Sequence, residues 1–533
     1  MPTKLTFHGA ASTVTGSCYI LDHDGGRLMI DCGLFQGTKT VRELNYRPFP
    51  FKPASIDALV LTHAHIDHTG LVPKLTANGF RGPITATEPT ADLLAFMMPD
   101  SGHIQESEVE RLNRRNKQRG RPMVEPIYTR RDAEQALEQI RTQDYDEWFE
   151  PMPGIRARYW NAGHILGSTS VEIEVTDKDE ERPIRILFSG DIGPDEKTFH
   201  DDPDGPSDVD YLVTESTYGD RDREDLTLEA RRAKLRDAVN EGLGHGGNLL
   251  IPAFAVERTQ ELLYSLIGLM EAGEIPDAPI FLDSPLAIKV TEAFARHRNA
   301  LHDVDPDMRI FRSNRIRFTE SVEESKAINK VRSGAIIMAA SGMCDAGRIR
   351  HHLKNNLWRR EACVLFVGYQ APGSLGHLIL SGEERVRIHG DEIKVNCAIR
   401  RIDSYSAHAD QGELVEWVKK RMPVRNTIFL SHGEPKAMEV FREHLAAAGC
   451  DPKHILSPAL DDSFDLSLKR EPARHEDEKR LSHERAAAEA DWHNAYARLL
   501  IDLGRRLDNL QSDDIRLALV ERLREALTRD QRS

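Results

Sequence analysis

The chain has 533 residues, 40% hydrophobic and 29% charged, and its 86 Asp+Glu against 71 Lys+Arg leave a net charge of −15. That balance excludes a protein that grips nucleic acid through bulk positive charge, although a local basic groove stays open. No apolar run reaches the roughly 18–20 residues that cross a bilayer.

At roughly 150 residues per domain, the length holds about three or four domains' worth of chain. The first ten residues lack the basic-then-apolar layout of a signal peptide. Cys18, Cys32, Cys344, Cys363, Cys397 and Cys450 contain no CxxC pair, so reduced thiols and a cytoplasmic location are expected.

Apolar runs at 4–8, 17–21 and 27–30 predict short strands, and 56–61 predicts a buried strand feeding straight into a histidine-rich turn. Between residues 90 and 140 the spacing turns helical, with a dense basic cluster of Arg111, Arg114, Arg115, Lys117, Arg119 and Arg121. Such a cluster suits a solvated helix face and RNA phosphates alike. Strands return at 170–175, 184–188 and 211–214.

From about residue 207 a second α/β unit is expected. It has strands at 248–253, 280–282, 335–340 and 363–367, and an amphipathic helix at 257–270. The glycine-rich stretch 242–247 precedes its strand and is read as a helix-to-strand loop, because a phosphate cradle needs strand, glycines and helix in that order. The backbone of Ser341-Gly342-Met343, after a strand, is a better candidate for holding a phosphate through its amides. A last strand at 427–430 runs into His432. Strands separated by helices, each strand ending in a polar loop, predict an α/β fold.

After residue 465 a charged, linker-like stretch at 469–485 is expected. Helical spacing follows in Trp492, Tyr496, Leu499, Leu500, Leu503 and Leu507, then in Ile515, Leu519, Leu523 and Leu527, with Ser512 as the N-cap between. The apolar faces of such a hairpin need cover, either from the main body or from a second copy in a homodimer.

The strongest signal is Thr62-His63-Ala64-His65-Ile66-Asp67-His68 at a strand's end. Imidazole nitrogen and carboxylate oxygen suit zinc, and also iron or manganese. Further donors follow the same grammar of an apolar strand ending in a polar loop: His164 in Gly163-His164-Ile165-Leu166-Gly167, Asp191 in Ser189-Gly190-Asp191, and His432 in Ser431-His432-Gly433.

With these residues in this order, the chain resembles the metallo-β-lactamase superfamily. The resemblance implies a four-layer αββα sandwich with two divalent metal ions at the edge of its sheets. His63, His65 and His164 would hold one ion, Asp67, His68 and His432 the other, and Asp191 would bridge them. Asp31, in Ile30-Asp31-Cys32-Gly33, would orient a ligand histidine.

Glu215 in Thr214-Glu215-Ser216-Thr217, His408 in Ser406-Ala407-His408-Ala409-Asp410, and His432 look like the three motifs of the β-CASP branch. Pro252-Ala253-Phe254-Ala255, Asp283-Ser284-Pro285-Leu286-Ala287, Ala340-Ser341-Gly342-Met343 and Gly368-Tyr369-Gln370-Ala371 resemble the same group, which processes nucleic acid. Two departures stand out: Glu257 precedes Arg258 where the relatives usually carry glycine, and His377 follows Gly376 where an arginine is common.

The expected architecture is a sandwich of segments 1–206 and 396–464, a β-CASP insert at 207–395 and a helical extension at 465–533. The activity the resemblance implies is hydrolysis of single-stranded RNA, with metal-generated hydroxide as nucleophile and His408, kept cationic by Glu215, as general acid. Products would carry 5′ phosphate and 3′ hydroxyl. A small-ester, thioester or amide hydrolase and a non-catalytic RNA-binding scaffold are the competing readings.

Overall fold

A computed structural model describes residues 2–223, 227–301, 309–368, 370, 373–402, 405–476, 480–481, 499, 502–504, 506–507, 509–510 and 512–529. Two sheets stack face to face. The first has eight strands in the spatial order Ala473–Glu476, Asp462–Asp465, Lys4–Phe7, Tyr19–His23, Gly26–Ile30, Ala58–Val60, Ile84–Ala86 and Ile140–Thr142. The second has seven: Ile455–Leu456, Val424–Ser431, Val209–Glu215, Ile184–Phe188, Thr169–Val175, Ile155–Asn161 and Trp148–Met152.

The period-2 alternation of strand side chains divides each strand between two cores. Phe429 points into the space between the sheets, where it packs with Phe7, Tyr211 and Phe464. Its neighbours Ile428 and Leu430 face outward onto Leu414, Trp417 and Phe441 of the helices Gln411–Lys420 and Pro435–Ala447. On the other side, Met29, Leu59 and Ile84 bury against Val72, Leu75 and Leu93. Helix, sheet, sheet and helix make the four layers expected.

The insert carries a six-stranded, all-parallel sheet in the order Ile316–Phe318, Ile280–Leu282, Ile336–Ala339, Leu249–Pro252, Cys363–Phe366 and Ala398–Arg401. It is covered on both faces, as parallel sheets require. Leu249 and Ile251 pack with Leu262 and Leu266 of the helix Arg258–Glu271, while Leu250 packs with Ile349 and Leu353 of the helix Ile349–Asn356.

Two boundaries differ from those read in the sequence. Ala398–Arg401 pairs with Cys363–Phe366, so the insert's sheet runs past residue 395. The stretch expected as a linker holds the strand Ala473–Glu476, which pairs antiparallel with Asp462–Asp465 and extends the sandwich past residue 464. Its charges suit an exposed edge strand: Arg474 pairs with Asp462 at 2.7 Å and His475 with Asp465 at 2.9 Å. Charge density alone does not distinguish such a strand from a linker. The strands Trp148–Met152 and Ile155–Asn161 also escaped the sequence reading.

Of the glycine-rich stretch, 242–244 end the helix Leu228–Gly244, and 245–247 form the helix-to-strand loop that leads to the strand Leu249–Pro252. In the tail, Asp513–Arg529 is helical and Ser512 Oγ accepts the Ile515 amide, as a cap does. Ile515, Leu517 and Val520 are exposed. Trp492, Tyr496 and Leu500 lie outside the described residues. All six cysteines are free and buried. Among the described residues, no helix is long and apolar enough to cross a membrane.

Candidate active site

The chemistry gathers where parallel strands of both sheets end at one edge. Phe188 lies beside Val213, and Glu215 beside Ser431, so Asp191, Glu215 and His432 leave the second sheet together. In the first sheet Ile30 pairs with Val60, which delivers Asp31 and the turn beginning at Thr62 to the same edge. The loop carrying His164 is clamped from outside. Both Thr87 and Thr90, at the start of the helix Glu88–Gln118, donate hydroxyls to the Gly167 carbonyl at 2.7 and 2.9 Å. Gly167 has φ +82, and a Cβ there would come within 2.6 Å of the Thr90 amide, so glycine is required.

His63, His65, His164 and Asp191 offer ligand atoms that all lie within 4.8 Å of one another, and so do Asp67, His68 and His432. His65 Nδ1 is 3.1 Å from both His63 Nε2 and His164 Nε2. Asp191 stands between the groups. Its Oδ2 is 3.5 and 3.6 Å from His63 and His164, and its Oδ1 is 3.2 and 3.7 Å from His68 and His432.

The outer nitrogens are fixed by neighbours. Asp31 Oδ2 lies 2.7 Å from His68 Nδ1, and Asp31 is itself held by the amide and hydroxyl of Thr62, each at 2.8 Å. His164 Nδ1 donates to the Ala407 carbonyl at 2.8 Å, and Thr217 Oγ1 meets His432 Nδ1 at 3.0 Å. His68 and His164 thus each turn Nε2 inward, the atom a cation would bind. Asp31 and His432 hold φ of 55 and 47, the left-handed backbone that functional sites often store.

The donor set fits divalent cations. Burial holds His63 and His164 well below the usual imidazole range and His65 at about 4, so all three are neutral. Burial also opposes charge on His68 and His432, yet Asp191, with Asp31 and Asp67, holds both above it. Asp191 Oδ1 is buried with no hydrogen-bond donor among the described residues. A carboxylate oxygen orphaned among imidazoles is costly unless a cation joins them.

His408 and Glu215 meet beside this cluster. His408 Nδ1 is 3.2 Å from Glu215 Oε2 and 3.9 Å from Asp191 Oδ2, and its ring lies 4.5 Å from that of His164. Glu215 is fully buried and accepts the Ile192 amide, whereas His408 keeps about a fifth of its side chain exposed. That is the exposure a group needs to reach substrate while its partner stays fixed.

Three family models cover most of the chain: the metallo-beta-lactamase superfamily at residues 12–239, the Beta-Casp domain at 259–379, and the Zn-dependent metallo-hydrolase RNA specificity domain at 392–458. Ribonuclease TTHA0252 of Thermus thermophilus is 35% identical over 450 residues, which span 83% of this chain and 95% of that protein. The chain belongs to the Beta-Casp branch of the metallo-beta-lactamase superfamily. Transcription termination factor FttA of Methanosarcina mazei is 30% identical over 81% of this chain and 67% of its own length. An RNase J-like protein of Methanocaldococcus jannaschii is 29% identical over 81% and 92%.

Gly342 packs under the Phe254 ring, and the carbonyls of Gly342 and Met343 accept Gln370 Nε2 and the Gly376 amide at 2.9 and 3.1 Å. Among the described residues, the Ser341, Gly342 and Met343 amides donate to no other protein group. Tyr369 and Ala371 lie outside the described residues.

Arg114 and Arg115 are not brought to the histidines. They sit exposed 24 and 25 residues after Thr90 on one helix, about 36 Å away at 1.5 Å per residue. Arg114 pairs with Glu110 at 2.9 Å. Thr62, Thr217 and Lys197 support the site but carry no sequence signal of their own, since each matters through a neighbour distant in the chain.

Proposed function

We propose that this protein is a metal-dependent ribonuclease that hydrolyses phosphodiester bonds in single-stranded RNA, leaving 5′ phosphate and 3′ hydroxyl. The observation that carries the reading is the His408–Glu215 pair set against Asp191, because metal-ligand groups alone serve many hydrolases. The ribonuclease relative, aligned over nearly its whole length, supports RNA as substrate.

His63, His65 and His164 would hold one ion and Asp67, His68 and His432 the other, with Asp191 shared between them; zinc fits this donor set, and manganese or iron could also occupy it. Bound there, divalent ions supply Lewis acidity toward a phosphate oxygen and acidify a water toward neutral pH.

The protein's own groups do the rest. Asp31 and the Ala407 carbonyl fix the His68 and His164 rings before any ligand arrives. Glu215 aims the His408 ring through the 3.2 Å contact at Nδ1. His408 then gives its proton to the departing 3′ oxygen as the phosphorus–oxygen bond breaks. The Ser341–Met343 amides would steady a phosphate on the insert's side.

The test is cleavage of end-labelled single-stranded RNA by wild type and by His408→Ala, each with and without chelator. Chelator-sensitive cleavage that the variant loses supports the proposal. Chelator-sensitive cleavage unchanged in the variant removes His408 from the chemistry. No cleavage of any RNA by protein with a full metal complement favours a scaffold role, and turnover of a thioester or lactone instead favours a small-molecule hydrolase.

A further inference from the structure

Glu257 occupies a position that its backbone makes costly. Its φ and ψ are 67 and −66, and the Arg258 amide closes onto the Val256 carbonyl at 2.8 Å, a tight γ-turn whose positive φ suits glycine. Glycine is therefore the residue the local conformation asks for, and the glutamate must be held by something else.

Its carboxylate leaves the insert and enters the sandwich. Oε1 lies 2.8 Å from His200 Nε2 and 3.3 Å from Lys197 Nζ, and Oε2 accepts the Leu166 amide at 3.1 Å. Lys197 Nζ in turn donates to the His164 carbonyl. All three side chains are almost fully buried. The Leu166 amide and the His164 carbonyl both belong to the loop that presents the His164 ring.

From this geometry we infer that Glu257 is a positioning residue that ties the insert to the His164 loop, so that the cation site at His63, His65 and His164 forms fully only when the insert is seated. The inference rests on the metal reading of those histidines. Burial alone would lift the Glu257 carboxyl, but His200 and Lys197 hold it down to about 2, so the latch is ionic. Three links meet at one carboxylate: the Leu166 amide fixes the loop's far side, Lys197 its near side, and His200 holds Oε1, while the γ-turn anchors the residue in the insert.

The test uses zinc alone and needs no RNA. Wild type, Glu257→Gly, Glu257→Gln and Lys197→Met, each loaded with zinc, are dialysed against graded chelator and the zinc per chain is measured, with folding followed by circular dichroism. Glu257→Gly relieves the turn, so a merely local role predicts an unchanged or more stable protein with wild-type zinc retention. The latch predicts that Glu257→Gly and Lys197→Met release one zinc at about tenfold lower chelator while keeping the other. Glu257→Gln should fall between, because it keeps an acceptor for the Leu166 amide and loses the charge. Variants that retain both ions like wild type overturn the latch alone, and Lys197→Met and Glu257→Gln decide the matter if Glu257→Gly does not fold. A wild type that takes up no zinc overturns the metal reading and the latch with it.

Discussion

His164 and Ala407 are joined by a 2.8 Å hydrogen bond from the imidazole Nδ1 of one to the carbonyl of the other. The acceptor peptide leads directly into His408, whose ring then lies 4.5 Å from that of His164. A candidate metal ligand from the first sandwich segment and a candidate general acid from the chain beyond the insert thus share one support. Whatever moves the 406–410 loop moves both.

Replacing His408 by alanine removes a proton donor without removing an inward-facing donor atom of either ligand group. The single-turnover rate of RNA cleavage at pH 7 is expected to fall about 10²–10⁴-fold, with zinc per chain unchanged. Metal analysis beside the kinetics checks that the loss is chemical.

Asp31→Asn is the complementary case. The asparagine keeps an acceptor for the Thr62 amide but cannot hold the His68 ring with a charged oxygen at 2.7 Å. Metal affinity, followed by chelator competition, is expected to drop about 10–100-fold, and cleavage should return at high zinc.

Arg114→Glu with Arg115→Glu probes the distant end of the helix Glu88–Gln118. Because that end is far from the histidines, short oligonucleotides should be cut as by wild type. Long RNA should bind more weakly, with the log–log salt slope reduced by about 0.7 for each phosphate no longer neutralised. Filter binding across salt concentrations measures it.

Asp461 makes stability depend on pH. Burial would raise its carboxyl, but His8 and Arg480 outweigh that and lower it from 3.8 to about 2. A carboxyl lower in the folded state stabilises above pH 3.8, and the contribution disappears as pH falls through about 2. The shift corresponds to about 2 kcal/mol. Asp461→Asn should therefore be less stable than wild type by about that amount in urea at pH 7, with the gap closing toward pH 2.

Apart from His164, which follows the unread strand Ile155–Asn161 and stood out only by its glycine-flanked loop, the candidate ligands were legible because each stands just past an apolar run, and a strand's end is where a side chain can leave the sheet. The insert's core was legible for the same reason: 248–253 and 363–367 are continuous apolar runs, as strands covered on both faces must be. The edge strand Ala473–Glu476 was not, because it buries little and its polar residues resemble a linker. Ala398–Arg401 was missed for a similar reason, being a half-exposed edge of the parallel sheet. Glu257 was visible only as an odd residue before Arg258; its partners His200 and Lys197 lie over fifty residues away.

By itself, then, the sequence determined the donor types, their order along the chain and an α/β fold, since all three follow from local apolar patterning and the polar residues that interrupt it; the αββα sandwich with its insert was implied by the family resemblance of its motifs. Tertiary structure alone decided that Asp191 faces both ligand groups, that His164 and His408 share a support, and that a carboxylate from the insert grips the His164 loop. The reason is physical: these relations hang on distances of 2.8 to 3.7 Å between residues separated by up to 243 positions. No local pattern encodes such distances; the register of parallel strands does.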